Sequence, residues 1–224
     1  MRLLFLNPNS TQAMTDGIVA TAQAALPSAD VLGWTNTDGP PAIQGAEDGA
    51  AAVTGLRAML PKARAVGADV MVIACFDDTG LAEIRAAAHC PVIGIGQSAF
   101  HIAALLGQRF SVVTTLAVSV PVIEANVADS GFGGLCGRVR PSGLNVLEVE
   151  AASPASLQRL DAEIEAAARE DAVGIAILGC AGMAKIADRL QSRTQLRLID
   201  GVKAATLLAQ ALHGAVSLQV AQPA

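Results

Sequence analysis

Ala68-Asp69-Val70-Met71-Val72-Ile73-Ala74-Cys75-Phe76-Asp77-Asp78-Thr79-Gly80-Leu81 runs from a short apolar stretch into a cysteine, then into a turn of acidic and small residues. Val173-Gly174-Ile175-Ala176-Ile177-Leu178-Gly179-Cys180-Ala181-Gly182-Met183 repeats that plan about 105 residues later. Each segment reads as a buried strand that delivers a cysteine to its carboxyl end, ahead of a helix. Outward from these two segments the same alternation continues. Strands are predicted over 2–6, 30–35, 68–74 and 91–95, helices over 12–25, 49–65, 80–89 and 97–107, and a loop over 36–48. The plan then restarts, with strands over 110–114, 144–149, 173–178 and 196–199 and helices over 121–130, 154–170, 183–191 and 201–213. A turn region is predicted at 131–137. Strands alternating with helices imply parallel sheets built of right-handed βαβ units, an α/β fold. Val92-Ile93-Gly94 falls on Leu198-Ile199-Asp200 in nearly the register that puts Cys75 on Cys180. The chain therefore reads as a duplicated four-strand unit with a cleft between its halves.

Composition narrows the function. Of 224 residues, 52% are hydrophobic and 16% charged, ample material for a core and too little charge for disorder. The net charge of −5 and the lack of a basic run argue against nucleic acid and anionic membrane surfaces. No stretch has the length of a membrane span, and the four apolar residues after Arg2 are too few for a secretory leader. A cytoplasmic location is expected, in which the four cysteines are reduced thiols. No Cys-x-x-Cys pair and no histidine cluster suggests a metal, and no G-x-G-x-x-G follows the first strand. The expected ligand is a small molecule, with no metal and no nucleotide cofactor.

In open parallel sheets ligands bind beyond the carboxyl ends of the strands. Asn7, Cys75, Thr114 and Cys180 all fall at such ends. A cysteine after an apolar strand is usually a small buried hydrophobe. Its recurrence at the equivalent point of both halves favours chemistry instead. Helix N-termini lower a thiol's pKa, and both cysteines are expected to precede one. A thiolate on one face of a carbon acid and a thiol on the other would move a proton either way, through an enolate-like anion that needs donors. The backbone N–H groups after each cysteine and the hydroxyls of Ser10, Thr114 and Thr115 are candidate donors. Asp77, Asp78 and Thr79 read first as caps of the following helix, although either carboxylate could hold a substrate nitrogen. Cys90 and Cys136 lack the strand-end context and His101 sits in an apolar helix pattern, so all three read as structural.

Asn7-Pro8-Asn9-Ser10-Thr11, Ala74 to Leu81, Gly94-Ile95-Gly96, Val112-Val113-Thr114-Thr115, Leu178 to Met183 and Ile199-Asp200-Gly201-Val202 together resemble the hydantoin racemase family, within the aspartate/glutamate racemase superfamily. The likeness runs in order from about residue 2 to residue 213. It implies a cofactor-independent racemase of 5-substituted hydantoins, with two pseudo-symmetric Rossmann-like lobes, each mainly a four-stranded parallel sheet flanked by helices. The implied lobes are 1–97 with 206–224, and 98–205, with the active site between them. It also implies a homo-oligomer. The two-base roles carry over to Cys75 and Cys180. Substrate contacts are expected from Asn7, Asn9, Ser10, Ile43, Phe76, Asp77, Thr114, Thr115, Ala181 and Gly182. Amino-acid racemases of the superfamily carry polar residues after both cysteines; Phe76 and Ala181-Gly182 are similar instead to the branch with neutral ring substrates. Allantoin racemases of that branch often carry Gly-Asp-Pro-Gly where this chain has Asp77-Asp78-Thr79-Gly80, which leaves hydantoin and allantoin both open.

Overall fold

Leu3, Leu4, Phe5 and Leu6 are all completely buried, so the first strand has no polar face and must lie inside a sheet covered on both sides. The computed structural model of the chain, which describes residues 1–217, shows that arrangement. Strands β1 (Arg2–Asn7), β2 (Asp30–Thr35), β3 (Val70–Ile73) and β4 (Val92–Gly94) form a parallel sheet in the order β2-β1-β3-β4. Strands β5 (Phe110–Thr114), β6 (Cys136–Pro141), β7 (Ile175–Leu178) and β8 (Arg197–Asp200) form a second one in the order β6-β5-β7-β8. The two orders are the same once the second set is renumbered, so the duplication read from the cysteines extends to topology. Residues 218–224, the end of the stretch 206–224 assigned to the first lobe, lie outside the described residues.

Helices flank the sheets: α1 (Gln12–Ala25), α2 (Ala46–Ala65), α3 (Leu81–Ala87), α4 (Ile95–Leu105), α5 (Val120–Asp129), α6 (Val146–Ala151), α7 (Pro154–Glu170), α8 (Ala187–Gln191) and α9 (Gly201–Ser217). Among the described residues no helix is long and apolar enough to cross a membrane. Although α9 follows β8, it packs against α1, α4, β3 and β4, which ties the halves together. Phe76, Phe100 and Phe110 add a second tie. Phe100 of α4 meets Phe76 edge-on at 5.6 Å and stacks on Phe110 of β5 at 6.0 Å. Such contacts add about 0.5–1.5 kcal/mol each beyond the area they bury. They also fix the residue that follows Cys75.

Most predicted elements are present with ends displaced by a few residues, but the strand expected over 144–149 is not a strand. Residues 146–151 form α6, and the strand is β6, which begins inside the expected turn region at 131–137. Asn145 caps α6: its side chain accepts the N–H of Glu148 at 2.9 Å, and Glu148 accepts the N–H of Asn145 in return. This reciprocal box sets a helix start that a run of valines and leucine obscures. β6 is an edge strand carrying Arg138 and Arg140, so it lacks the continuous apolar character of its neighbours. Arg140 is buried because Asp171 and Glu170 accept from its guanidinium at 2.6 and 2.7 Å.

Candidate active site

Cys75 and Cys180 each stand two residues beyond the last residue of a central strand, β3 and β7 respectively. Equivalent exits from equivalent strands bring both to the wall of one small cavity. Its other lining residues are Asn9, Met14, Ile43, Ala74, Phe76, Asp77, Thr115, Ser119, Val146, Gly179 and Ala181. The space is about 20 Å³, room for little more than one water, so a ring enters only if the walls part.

The wall is assembled from several loops. Residues 36–45 form a strap that brings Ile43 to the wall. Asn36 anchors it, donating its amide to the carbonyls of Pro8 and Ala52 at 3.0 and 3.2 Å. Ser10 N–H and the Thr11 hydroxyl hold the carbonyls of Pro40 and Pro41 at 2.9 and 2.7 Å. Gln44 ties the strap to the other half, its Oε1 accepting the N–H of Val146 at 3.1 Å. Gly45, at φ 101°, is in a backbone conformation that glycine alone adopts freely.

The expected site residues divide into two groups. Cys75, Cys180, Asn9, Ile43, Phe76, Asp77, Thr115 and Ala181 line the cavity together. Asn7, Thr114, Ser10 and Gly182 do not. Asn7 lies behind Asn9, giving its amide to Asn9 Oδ1 at 3.0 Å and to the Thr15 hydroxyl at 2.9 Å. These bonds orient Asn9. The Thr114 hydroxyl is spent on the carbonyl of Gly179 at 3.0 Å, which fixes the residue before Cys180. Neither it nor Ser10 offers the expected hydroxyl to the cavity. Met14, Ser119 and Val146 are wall residues that the sequence reading missed.

Electrostatics differ from the expectation for the thiols. Cys180 holds the N-cap position of the short 3-10 turn Ala181–Ile186, but Cys75 precedes a turn, and α3 begins only at Leu81. Burial pushes the Cys180 thiol up to about 12, against the pull of the Gly182 and Met183 N–H groups. Burial and the neighbouring Asp77 carboxylate push Cys75 up as well, although the Thr79 hydroxyl and the Asp77 N–H favour its thiolate. Both shifts favour the protonated thiols in this narrow cavity. Burial also raises Asp77 to about 7, opposed by the nearby N–H of Gly45. One Asp77 oxygen, Oδ2, is buried with no hydrogen-bond partner.

The acidic pair does not cap the following helix. Gly80 holds the N-cap position of α3 with no side-chain cap. Asp78, at φ 48°, turns away and accepts the N–H groups of Gly96 and Gln97 at 3.0 and 2.6 Å, so it caps α4. A Cβ on Gly96 would come within 2.3 Å of the Phe76 carbonyl, which shows how closely the cysteine loop lies on that helix. His101, as expected, plays a structural part: its Nδ1 is bonded to the Gln97 carbonyl at 2.7 Å and its ring meets Phe132 edge-on.

Two thiols, one buried carboxylate and a mainly apolar wall offer groups that can exchange protons with a small carbon acid. Comparisons with known proteins give the family. The Asp/Glu/Hydantoin racemase family matches the chain over residues 3–209. A hydantoin racemase of Rhizobium meliloti is 43% identical, the match covering 96% of this chain and 90% of the relative. One from Pseudomonas sp. (strain NS671) is 34% identical over 95% of this chain and 86% of its own length. The solved allantoin racemase of Klebsiella pneumoniae superposes with a TM-score of 0.90 at 33% identity, covering 100% of this chain and 90% of that one. The chain belongs to the Asp/Glu/Hydantoin racemase family and is a racemase.

Proposed function

We propose that this racemase inverts C5 of 5-substituted hydantoins by two-base proton transfer between Cys75 and Cys180, without a cofactor. The observation that supports this reading best is that the two cysteines leave equivalent strands and line one cavity. In the productive state one sulfur is a thiolate. It takes the C5 proton, while the opposite thiol gives its proton to the other face. The negative charge passes from the first sulfur to the second, through an enolate whose oxygen is C4–O. Asn9, Thr115 and Ser119 supply side chains that can donate to the ring carbonyls. Met14, Ile43, Phe76 and Val146 supply an apolar wall for the ring and its 5-substituent. Because burial raises both thiols, the thiolate depends on the donors and polar atoms that a bound substrate brings to the sulfur.

The 43% identity to a hydantoin racemase favours hydantoins. The likeness to an allantoin racemase keeps a second substrate in view, since allantoin is a hydantoin with a ureido group at C5. The test is deuterium exchange at C5 of each enantiomer of a hydantoin panel that includes allantoin, followed by NMR and polarimetry. Racemisation of alkyl and aryl hydantoins in EDTA, with no added cofactor, is the expected result. Exchange confined to allantoin would move the assignment to the second substrate. In a substrate-bound crystal structure the two sulfurs should stand about 7–8 Å apart, the sum of two near-attack contacts and modest slack.

A further inference from the structure

We infer that Asp77 reads the ring N–H next to the reacting carbon and so restricts the site to cyclic ureides in which that nitrogen carries a hydrogen; this rests on the hydantoin reading above. Asp77 has the one charged side chain among the described residues that line the cavity. Its Oδ2 is buried and accepts no hydrogen bond. A buried carboxylate oxygen is rarely left without a donor, so one is wanted from whatever occupies the cavity. The loop that carries it is held from behind, since the Asp77 backbone carbonyl accepts the side-chain amide of Asn126 at 2.8 Å.

The nitrogen can be named. The charge of Asp77 bears on the sulfurs of both Cys75 and Cys180, so the carboxylate sits beside the space that the two bases must share. In a hydantoin, the reacting C5 has two ring neighbours, N1 and C4. A carboxylate facing C4–O would oppose the negative charge that grows there in the enolate. Facing N1–H, it gains a charge-assisted hydrogen bond and leaves C4–O to the neutral donors. N3 lies across the ring from C5 and is farther from both sulfurs. The ring therefore enters with N1 toward Asp77 and C4–O away from it.

The experiment compares 5-benzylhydantoin with its N1-methyl and N3-methyl derivatives, each rate corrected for the compound's own uncatalysed exchange at C5. On the N1-methyl compound the wild-type protein should lose at least about a hundredfold in kcat/KM, because a site built around a substrate N–H rejects the analogue that lacks it. The N3-methyl compound should lose less. Bulk is separated from hydrogen bonding by Asp77→Leu, which keeps the size and removes the acceptor. In that variant the parent should fall toward the N1-methyl compound, shrinking their ratio to less than about tenfold. Should Asp77→Leu fail to fold, Asp77→Ala gives the same comparison with added room. Equal turnover of parent and N1-methyl compound by the wild type overturns the inference. So does an unchanged ratio in the variant, or a larger loss on the N3-methyl compound. Failure of the wild type to racemise the parent overturns the hydantoin reading instead.

Discussion

The carboxylate of Asp78 accepts the backbone N–H of Gln97 at 2.6 Å, which clasps the loop that carries Cys75 to the first turn of α4. The N–H of Gly96 adds a second bond at 3.0 Å. Gly94 and Gly96 leave room for the clasp: a Cβ on Gly94 would stand 1.9 Å from Asp78 Oδ1. Asp78 therefore caps one helix while being held in a left-handed conformation that few non-glycine residues adopt.

Removing the clasp should cost both stability and one half of the chemistry. Asp78→Ala leaves two helix N-terminal donors without a partner, a loss of about 1–3 kcal/mol. Gly96→Ala should be worse, because the new methyl meets the Phe76 carbonyl, which is backbone and cannot swing aside. A purely structural role would slow exchange of both enantiomers alike. If Asp78 positions Cys75, the Asp78→Ala variant loses C5 exchange of one enantiomer far more than of the other. Deuterium exchange of separated enantiomers, alongside a thermal melt, reads both effects.

The pH dependence of stability has a sign fixed by the buried carboxylates. Burial raises Asp77 from 3.8 to about 7 in the folded protein. Between these values the folded protein holds a proton that the unfolded chain has released. Stability from this group is therefore greatest below about pH 4 and declines as pH rises toward about 7, then levels. Asp78, raised to about 7 mainly by burial, acts in the same direction. Asp77→Asn should flatten the decline, gaining on the wild type at about pH 8 relative to about pH 5. Urea denaturation at the two pH values checks this; a variant that gains at the lower pH instead would contradict the assignment.

The same burial sets the reactivity of the thiols. Free cysteines alkylate as thiolates, so a protonated buried thiol reacts slowly. With Cys180 pushed up to about 12 and Cys75 raised too, alkylation of the unliganded protein by iodoacetamide should be slow at neutral pH. The rate should climb about tenfold per pH unit through about pH 9 without a plateau. Peptide mass spectrometry resolves the two sites. A plateau near neutral pH at either cysteine would mean that its thiolate is already formed in the resting protein.

Much of this architecture is legible in the sequence, and what is not legible has physical reasons. β3 and β7 are buried on both faces, so Val70–Ile73 and Ile175–Leu178 stand out as continuous apolar runs. The matched cysteines at their exits are legible because a duplication repeats them. β6 is hidden because an edge strand needs no such run, and its buried Arg140 is made tolerable only by Asp171, far along the chain. Val146 is hidden with it, since its valine and leucine neighbours mask the helix start that the Asn145–Glu148 box sets. The role of Asp78 is invisible locally: its donors lie 18 and 19 residues away, across β4.

The division of labour between the sulfurs gives the sharpest test. Cys75→Ser and Cys180→Ser should each abolish racemisation, since a serine hydroxyl is far too weak an acid to stand in for a thiol at neutral pH. On the two-base proposal, each variant still keeps one sulfur facing one side of the substrate carbon. It should therefore exchange the C5 proton of a single enantiomer with deuterium, and the preferred enantiomer should be opposite in the two variants. A binding protein without proton chemistry would exchange neither enantiomer. A one-cysteine enzyme would leave one variant close to the wild type. Cys90→Ser and Cys136→Ser serve as controls, because neither cysteine lines the cavity. If either of these proved the disabling change, the correspondence between the exits of β3 and β7 would have no bearing on catalysis.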